Sequence, residues 1–258
     1  MSYIRQYTEL TQQELRQLRY KRQYKERRPT WDDSMVLLTN LVKERTEAGK
    51  GSLALLDFGC GRGNFVVDEL RDRFSRTVGF DLDRDATVGN VSMDEVVIGS
   101  PDRLPFADAS FDAVVSLWVL EHVEHPEQVF QEIARVLKPG GCFAFVTPHK
   151  KSALIAVRRF LTDGMAHHLL RVLYGREEKD VFPVFYRANS VRDLKRIADG
   201  TSLQPDILVE NDDPSYTSFN SFTFWFSCCF ARWGGPFAKP HLVGVLRKEA
   251  TGKAENVL

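Results

Sequence analysis

Leu55-Leu56-Asp57-Phe58-Gly59-Cys60-Gly61-Arg62-Gly63 reads as a buried strand running into a turn that only glycines build. Three glycines in alternation leave no Cβ over the bend, so backbone N–H groups and the start of the following helix can come close to a polar ligand. A glycine cluster is equally a plain strand-to-helix connection, and the residues downstream decide between the two.

About twenty residues on, Thr77-Val78-Gly79-Phe80-Asp81 is a second short apolar run ending in a carboxylate, where an α/β ligand fold places the acid that holds a ribose. Asp81 is therefore the expected acceptor for a ribose diol. The spacing G-x-G-x-G differs from G-x-G-x-x-G, and Asp57 would repel a pyrophosphate. Both features argue against a nicotinamide dinucleotide.

Further along come Gly99-Ser100-Pro101-Asp102-Arg103-Leu104-Pro105-Phe106, Ser110-Phe111-Asp112-Ala113-Val114-Val115-Ser116, Leu120-Glu121-His122-Val123 and Leu137-Lys138-Pro139-Gly140-Gly141. From Leu53 to about Thr147 this order of motifs resembles the class I S-adenosylmethionine-dependent methyltransferases. The likeness is to the small-molecule group whose third strand leads into a Leu-Pro-Phe loop and whose fourth leads into Leu-Glu-His. It implies S-adenosyl-L-methionine as cofactor, no metal, and direct in-line methyl transfer to a small-molecule or lipid- or glycan-linked acceptor, with oxygen the expected acceptor atom. A non-catalytic binding or scaffold protein on the same fold, and an RNA or protein methyltransferase, stay open as alternatives.

The same resemblance assigns the cofactor residues. Gly59, Gly61 and Gly63 would pass close to the methionine part, Asp57 would steady its ammonium end, and Asp81 would accept both ribose hydroxyls with Leu82 beside it. Ser116 and Leu117, at the end of the fourth strand, would offer backbone carbonyls to the ammonium. At the adenine end the chain departs from the family, with Gly99-Ser100-Pro101 where Gly-Asp-Ala is usual. A hydroxyl stands for the usual acid and Pro101 has no N–H to give, so Asp102 is the expected substitute and weaker cofactor affinity the expected result. Trp118 lines the acceptor pocket or packs in the core. Candidate catalytic groups are His149, Tyr186 and His122, with His167 or His168 further along; for His122 an orienting role is the better reading.

With 258 residues, the chain suits one well-buried α/β domain with additions. Lys plus Arg equals Asp plus Glu at 35 each, so there is no global basic field and no nucleic-acid partner is expected. The four cysteines, Cys60, Cys142, Cys228 and Cys229, have neither metal-site spacing nor a disulfide pattern, which suits a reducing compartment. No signal-like start and no run near the ~20 apolar residues of a bilayer span are present, so a cytoplasmic location is expected. Phe219 to Trp233 is aromatic enough for peripheral membrane contact.

The expected architecture is a Rossmann-like, doubly wound α/β sheet, mostly parallel with an antiparallel edge strand. Residues 1–50 form an N-terminal helical lead-in, and residues 51–258 the methyltransferase domain, with a cap segment at 150–189 and an aromatic insertion at 212–239. The lead-in reads as helices over Glu9–Arg28 and from Asp32 or Asp33 to about Glu47. Its basic run, Arg16 to Arg28, reads as a solvated face, with an anionic partner as the alternative. Strands are expected at Leu53–Phe58, Thr77–Phe80, Val96–Ile98, Ala113–Leu117, Cys142–Val146, Ile207–Val209 and His241–Leu246. Helices are expected at Asn64–Phe74, Pro126–Leu137 and Ser190–Ala198, with one or two more in Lys151–Tyr174.

Overall fold

The computed structural model describes residues 11–160 and 183–250. Seven strands, β1 (Leu53–Phe58), β2 (Phe74–Asp81), β3 (Glu95–Ile98), β4 (Phe111–Leu117), β5 (Leu137–Pro148), β6 (Leu203–Asn211) and β7 (His241–Lys248), form one sheet in the order β3-β2-β1-β4-β5-β7-β6. Strands β1 to β5 pair in parallel, while β7 runs antiparallel to both β5 and β6. The antiparallel strand is thus second from the edge, and β6 is outermost.

Alternation along the strands sets two apolar layers. Leu56, Phe58, Val78, Phe80, Val114, Phe143 and Phe145 face α4 (Pro126–Val136) and α6 (Val191–Ala198), α5 (Ala153–Phe160) coming between them in the chain. Leu55, Ala113, Val115, Ala144, Val243 and Val245 face α2 (Ser34–Arg45) and α3 (Phe65–Leu70). Helix starts follow local chemistry: Asp33 accepts from Met35 N–H, Asn64 from Val67 N–H and Ser190 from Asp193 N–H, while Pro126 opens α4.

One expected boundary is corrected. The helix begun at Asn64 stops at Leu70, a single turn of 3₁₀ helix follows over Arg71–Arg73, and Phe74 already belongs to β2, paired with Leu53. Arg71 is drawn across to Ser92 and Asp94, and Phe74 is buried beside Leu70. Burial of the phenylalanine against the sheet outweighs the helix propensity of the preceding run.

The lead-in and the insertion pack on each other. The insertion is ordered, with α7 (Ser221–Trp233) at its centre, and Phe224 and Ala231 join Tyr20, Tyr24 and Trp31 in a third apolar cluster. Tyr20 and Phe224 meet at 4.8 Å between ring centroids, and α1 (Gln12–Arg27) supplies both tyrosines. The basic run is a solvated face in part, with Arg19, Arg22, Arg27 and Arg28 exposed, and is paired inward in part. Lys21 pairs with Asp33 and Asp213, Lys25 with Asp32, and Arg28 with Asp212. Arg16 and Arg27 lie over the rings of Phe219 and Phe224. Lys21, Lys25 and Arg28 thus meet the chain's own acids, partners that sequence separation had hidden, while Arg19 and Arg22 stay on the exposed side.

Strand β1 leads outward to β2 and β3, and β4 returns on its other side. The carboxyl ends of β1 and β4 therefore flank the switch point where open α/β sheets collect ligands.

Candidate functional site

At that switch point the backbone after β1 turns through Gly59, Gly61 and Gly63, at φ +80°, +45° and +95°. The glycines are required for different reasons. A Cβ on Gly59 would overlap Val119 and one on Gly63 would overlap Ser92, whereas at Gly61 the nearest atom would be Ala86 O at 3.9 Å. Only Gly61 faces open space, so it is the position where a ligand can approach the backbone; the outer two are fixed by packing. Asn90, which the sequence reading did not single out, holds the bend by donating from Nδ2 to Gly61 O at 2.8 Å. Gly59→Ala combines a positive φ with overpacking, and we expect it to destabilise the fold by ~2–4 kcal/mol in urea unfolding. An unchanged midpoint would contradict this view of the turn.

Two carboxylates flank the bend. Asp81, ending β2, accepts from Gly61 N–H at 2.9 Å and from Asp83 N–H at 3.0 Å. Each carboxylate oxygen thus has one backbone donor and further lone-pair capacity, which suits a pair of vicinal hydroxyls. Leu82 follows, 64 % exposed, an apolar side chain standing free beside the acid. Asp57 is wholly buried. Asn64 Nδ2 donates to its Oδ2 at 2.6 Å, while Oδ1 is buried without a hydrogen-bond partner among the described residues. Burial pushes the Asp57 carboxyl up to about 8, the Asn64 hydrogen bond opposing and the charge of Asp81 adding to the rise. Asn64, a second residue missed in the sequence, caps α3 and holds Asp57 at once; its place just before an apolar helical run was the available signal.

At the adenine end, Ser100 and Asp102 are engaged with each other. Ser100 Oγ lies 3.3 Å from Asp102 Oδ2 and accepts from Asp102 N–H at 3.3 Å. Both are exposed, and Gly99 N–H is spent on Asp81 O at 3.0 Å. Ser116 is buried and its hydroxyl donates to Phe58 O at 3.0 Å, tying the end of β4 to the end of β1. Leu117 is buried as well, with Trp118 following it at φ +59°. Trp118 N–H donates to Val146 O, and its ring meets His241 edge-on at 4.8 Å.

The Leu-Glu-His segment acts as a clasp. Phe185 and Tyr186 N–H groups donate to Glu121 O at 2.8 and 3.2 Å, and His122 Nδ1 donates to Pro183 O at 2.7 Å. The buried Glu121 carboxylate accepts from Thr147 Oγ1, which in turn accepts from Asn189 Nδ2. His122 thereby ties Pro183, at the start of the 183–189 stretch, to the segment that follows β4. Tyr186 sits in that stretch at φ +52°, partly exposed. His167 and His168 lie outside the described residues, as does most of the cap segment.

His149 is placed away from open solvent. It is fully buried, Nδ1 lies 3.1 Å from Lys239 O, and burial holds its pKa below the ordinary histidine value despite Glu210 nearby. It joins β5 to the end of the insertion through Lys239 O and Pro240 O. The sequence reading passed over His241. Its Nδ1 lies 2.9 Å from Ser34 Oγ and its Nε2 3.1 Å from the Tyr216 hydroxyl. Burial pulls this imidazole down to about 4, so it is neutral and holds Tyr216 beside Trp118. The Cys60 thiol, inside the glycine turn, is pushed up to about 12 by burial and is no nucleophile. No group of three or more potential metal ligands occurs among the described residues.

The chemistry of this donor set fits one ligand type. A buried carboxylate oxygen with nothing to accept from, an open glycine backbone and a second carboxylate with spare lone pairs suit an ammonium, an amino-acid chain and a ribose in that order. S-adenosyl-L-methionine has that sequence of groups.

Residues 56–145 match the family model described as a methyltransferase domain. A probable S-adenosylmethionine-dependent methyltransferase of Mycolicibacterium smegmatis is 38 % identical over 100 residues, which is 37 % of this chain and 38 % of that protein. A sterol 4-C-methyltransferase of Caenorhabditis elegans is 31 % identical over 111 residues, 40 % of this chain and 33 % of that one. The chain thus spans well under half the length of these curated relatives. Among solved structures, a geranyl diphosphate C-methyltransferase of Streptomyces coelicolor, in complex with S-adenosyl-L-homocysteine, aligns with a TM-score of 0.54 at 17 % identity over 83 % of this chain and 78 % of that one. This is a likeness of fold.

Proposed function

We propose that this chain, a member of the class I S-adenosylmethionine-dependent methyltransferases by its residues 56–145 and its fold, transfers a methyl group in line to an amphipathic small-molecule or lipid-linked acceptor. The single observation that carries the reading is the pair Asp57 and Asp81 on either side of the open Gly61, the first with an orphaned buried oxygen. The bound cofactor supplies a methyl group already activated on a sulfonium. The protein's share is to hold, align and keep dry, and alignment alone is worth several kcal/mol.

In this account Asp57 Oδ1 takes the ammonium, with Asn64 fixing the carboxylate's rotation. Asp81 takes the ribose hydroxyls while its backbone donors keep the fork in plane, and Leu82 covers the adenine. Ser100 and Asp102 sit at the adenine lip, so the ring there rests more on apolar cover than on hydrogen bonds. On the acceptor side, Trp118, Tyr216 and the 183–186 stretch held by His122 form the wall at the carboxyl edge of β4 and β5. Relatives are named for a sterol and for geranyl diphosphate, molecules that each carry a hydrocarbon part, and an aromatic wall suits an acceptor with such a part. An acceptor that starts protonated needs a base; Tyr186 is the partly exposed candidate in this wall.

The test is a panel of prenyl-linked sugars, sterols, fatty acyl carriers, short RNAs and peptides, assayed by S-adenosylhomocysteine release. We expect turnover with an amphipathic member. Turnover confined to RNA or peptide would overturn the acceptor class, and no turnover with undetectable cofactor binding would overturn the enzyme reading.

A further inference from the structure

Helix α7 carries large aromatic side chains on both its inner and its outer side. Phe224, Ser227 and Ala231 recur at helical spacing and are buried, Phe224 and Ala231 in the cluster with the α1 tyrosines and Ser227 against Thr217. On the other side Phe222, Trp225, Phe226 and Trp233 stand 73, 58, 61 and 78 % exposed, with Phe219 before the helix and Phe237 after it also exposed. Of these two sides only the inner one is covered among the described residues, and an exposed aromatic stripe of this kind calls for an apolar phase or partner. Contiguous exposed aromatic surface of this extent marks a docking face.

Charge decides what covers it. From Pro214 to Pro240 there is not one Asp or Glu. The cation that stands on the exposed side is Arg232, itself exposed, with its guanidinium 5.3 Å from the Trp233 ring centroid. Exposed Phe and Trp without acids, edged by arginine, match the boundary between acyl chains and anionic headgroups. Within α7 no carboxylate or amide accompanies the outer aromatics, the exposed Asn220 standing before them at the helix N-cap. No helix among the described residues is long and apolar enough to cross a membrane, so the contact is peripheral.

We propose that the outer face of α7 seats this protein on the surface of an anionic lipid bilayer. The helix follows β6 and leads into β7, so it lies at the same edge of the sheet as the ends of β1 and β4. Through Thr217, Ser227, Tyr216 and His241 the insertion is hydrogen-bonded back to Trp118's neighbours. Seating this face on a bilayer brings the acceptor wall to the lipid surface. The inference stands on α7 itself and holds whether or not methyl transfer is the reaction.

The test uses the full chain and vesicles of phosphatidylcholine with and without phosphatidylglycerol, read by co-sedimentation and by tryptophan emission. Sedimentation with the anionic vesicles is expected, weakened at high salt, with a blue shift from Trp225 and Trp233. The triple variant Trp225→Ser, Phe226→Ser and Trp233→Ser should lose vesicle partitioning at least about tenfold. Because these side chains are exposed, it should keep the wild-type melting temperature and S-adenosylhomocysteine affinity. Failure of the wild-type chain to sediment with anionic vesicles would overturn the proposal. So would equal partitioning by a folded triple variant, or a wild-type dimer that this variant dissociates.

Discussion

Asp81→Ala is expected to raise the dissociation constant for S-adenosylmethionine about a hundredfold or more. Two hydroxyl hydrogen bonds to a carboxylate are lost, each in the ~1.5–3 kcal/mol range for charged partners. The loss in fold stability should be smaller, ~1 kcal/mol, because Asp81 is only partly buried and water can replace it at Gly61 and Asp83 N–H. Calorimetric titration and thermal unfolding of the same sample separate the two effects. Full affinity in the folded variant would remove the ribose assignment, and a collapse of the fold would make Asp81 a structural residue of the turn.

Asp57→Asn should move affinity and stability in opposite directions. In the free protein burial raises this carboxyl from 3.8 to about 8, so the folded chain keeps a proton that the unfolded chain gives up. Between roughly pH 4 and pH 8 the native state therefore binds more protons than the unfolded state, and stability contributed by this group falls as pH rises through that window. An amide has no charge to lose. The variant's advantage in urea unfolding, without cofactor, should be small near pH 4 and grow steadily as pH rises toward 8. Its affinity for S-adenosylmethionine should fall at least about tenfold, because the amide cannot neutralise the ammonium. Wild-type binding at neutral pH should also release a proton, seen as a dependence of the calorimetric heat on buffer ionisation enthalpy. A variant that is less stable at pH 8, or that binds as well as wild type, would contradict a carboxylate kept ready for a cation.

The parallel core was legible because its signals are local. The Gly59–Gly63 bend, Asp81 at a strand end and Pro126 opening a helix each declare themselves within a few residues, and all stand where the pattern placed them. What the pattern missed is held together at long range. Asn64 and Asn90 matter through Asp57 and Gly61, and His241 through Ser34, more than two hundred residues earlier in the chain. The union of α1 with α7 was hidden for the same reason: the basic run of α1 reads as a wet surface until Asp212, Asp213 and the rings of Phe219 and Phe224 are brought against it. Trp118 and Tyr186 adopt positive φ, a conformation that tertiary packing imposes and side-chain type does not announce.

The central claim is that Asp57 and Asp81 hold the two ends of one sulfonium cofactor across the Gly61 bend. A crystal structure of the chain with S-adenosylhomocysteine tests it most directly. The account predicts the ligand's ammonium within about 3 Å of Asp57 Oδ1 and both ribose hydroxyls within about 3 Å of the Asp81 carboxylate. A ligand bound elsewhere on the chain, or bound at the bend with its ammonium turned away from Asp57, would contradict it.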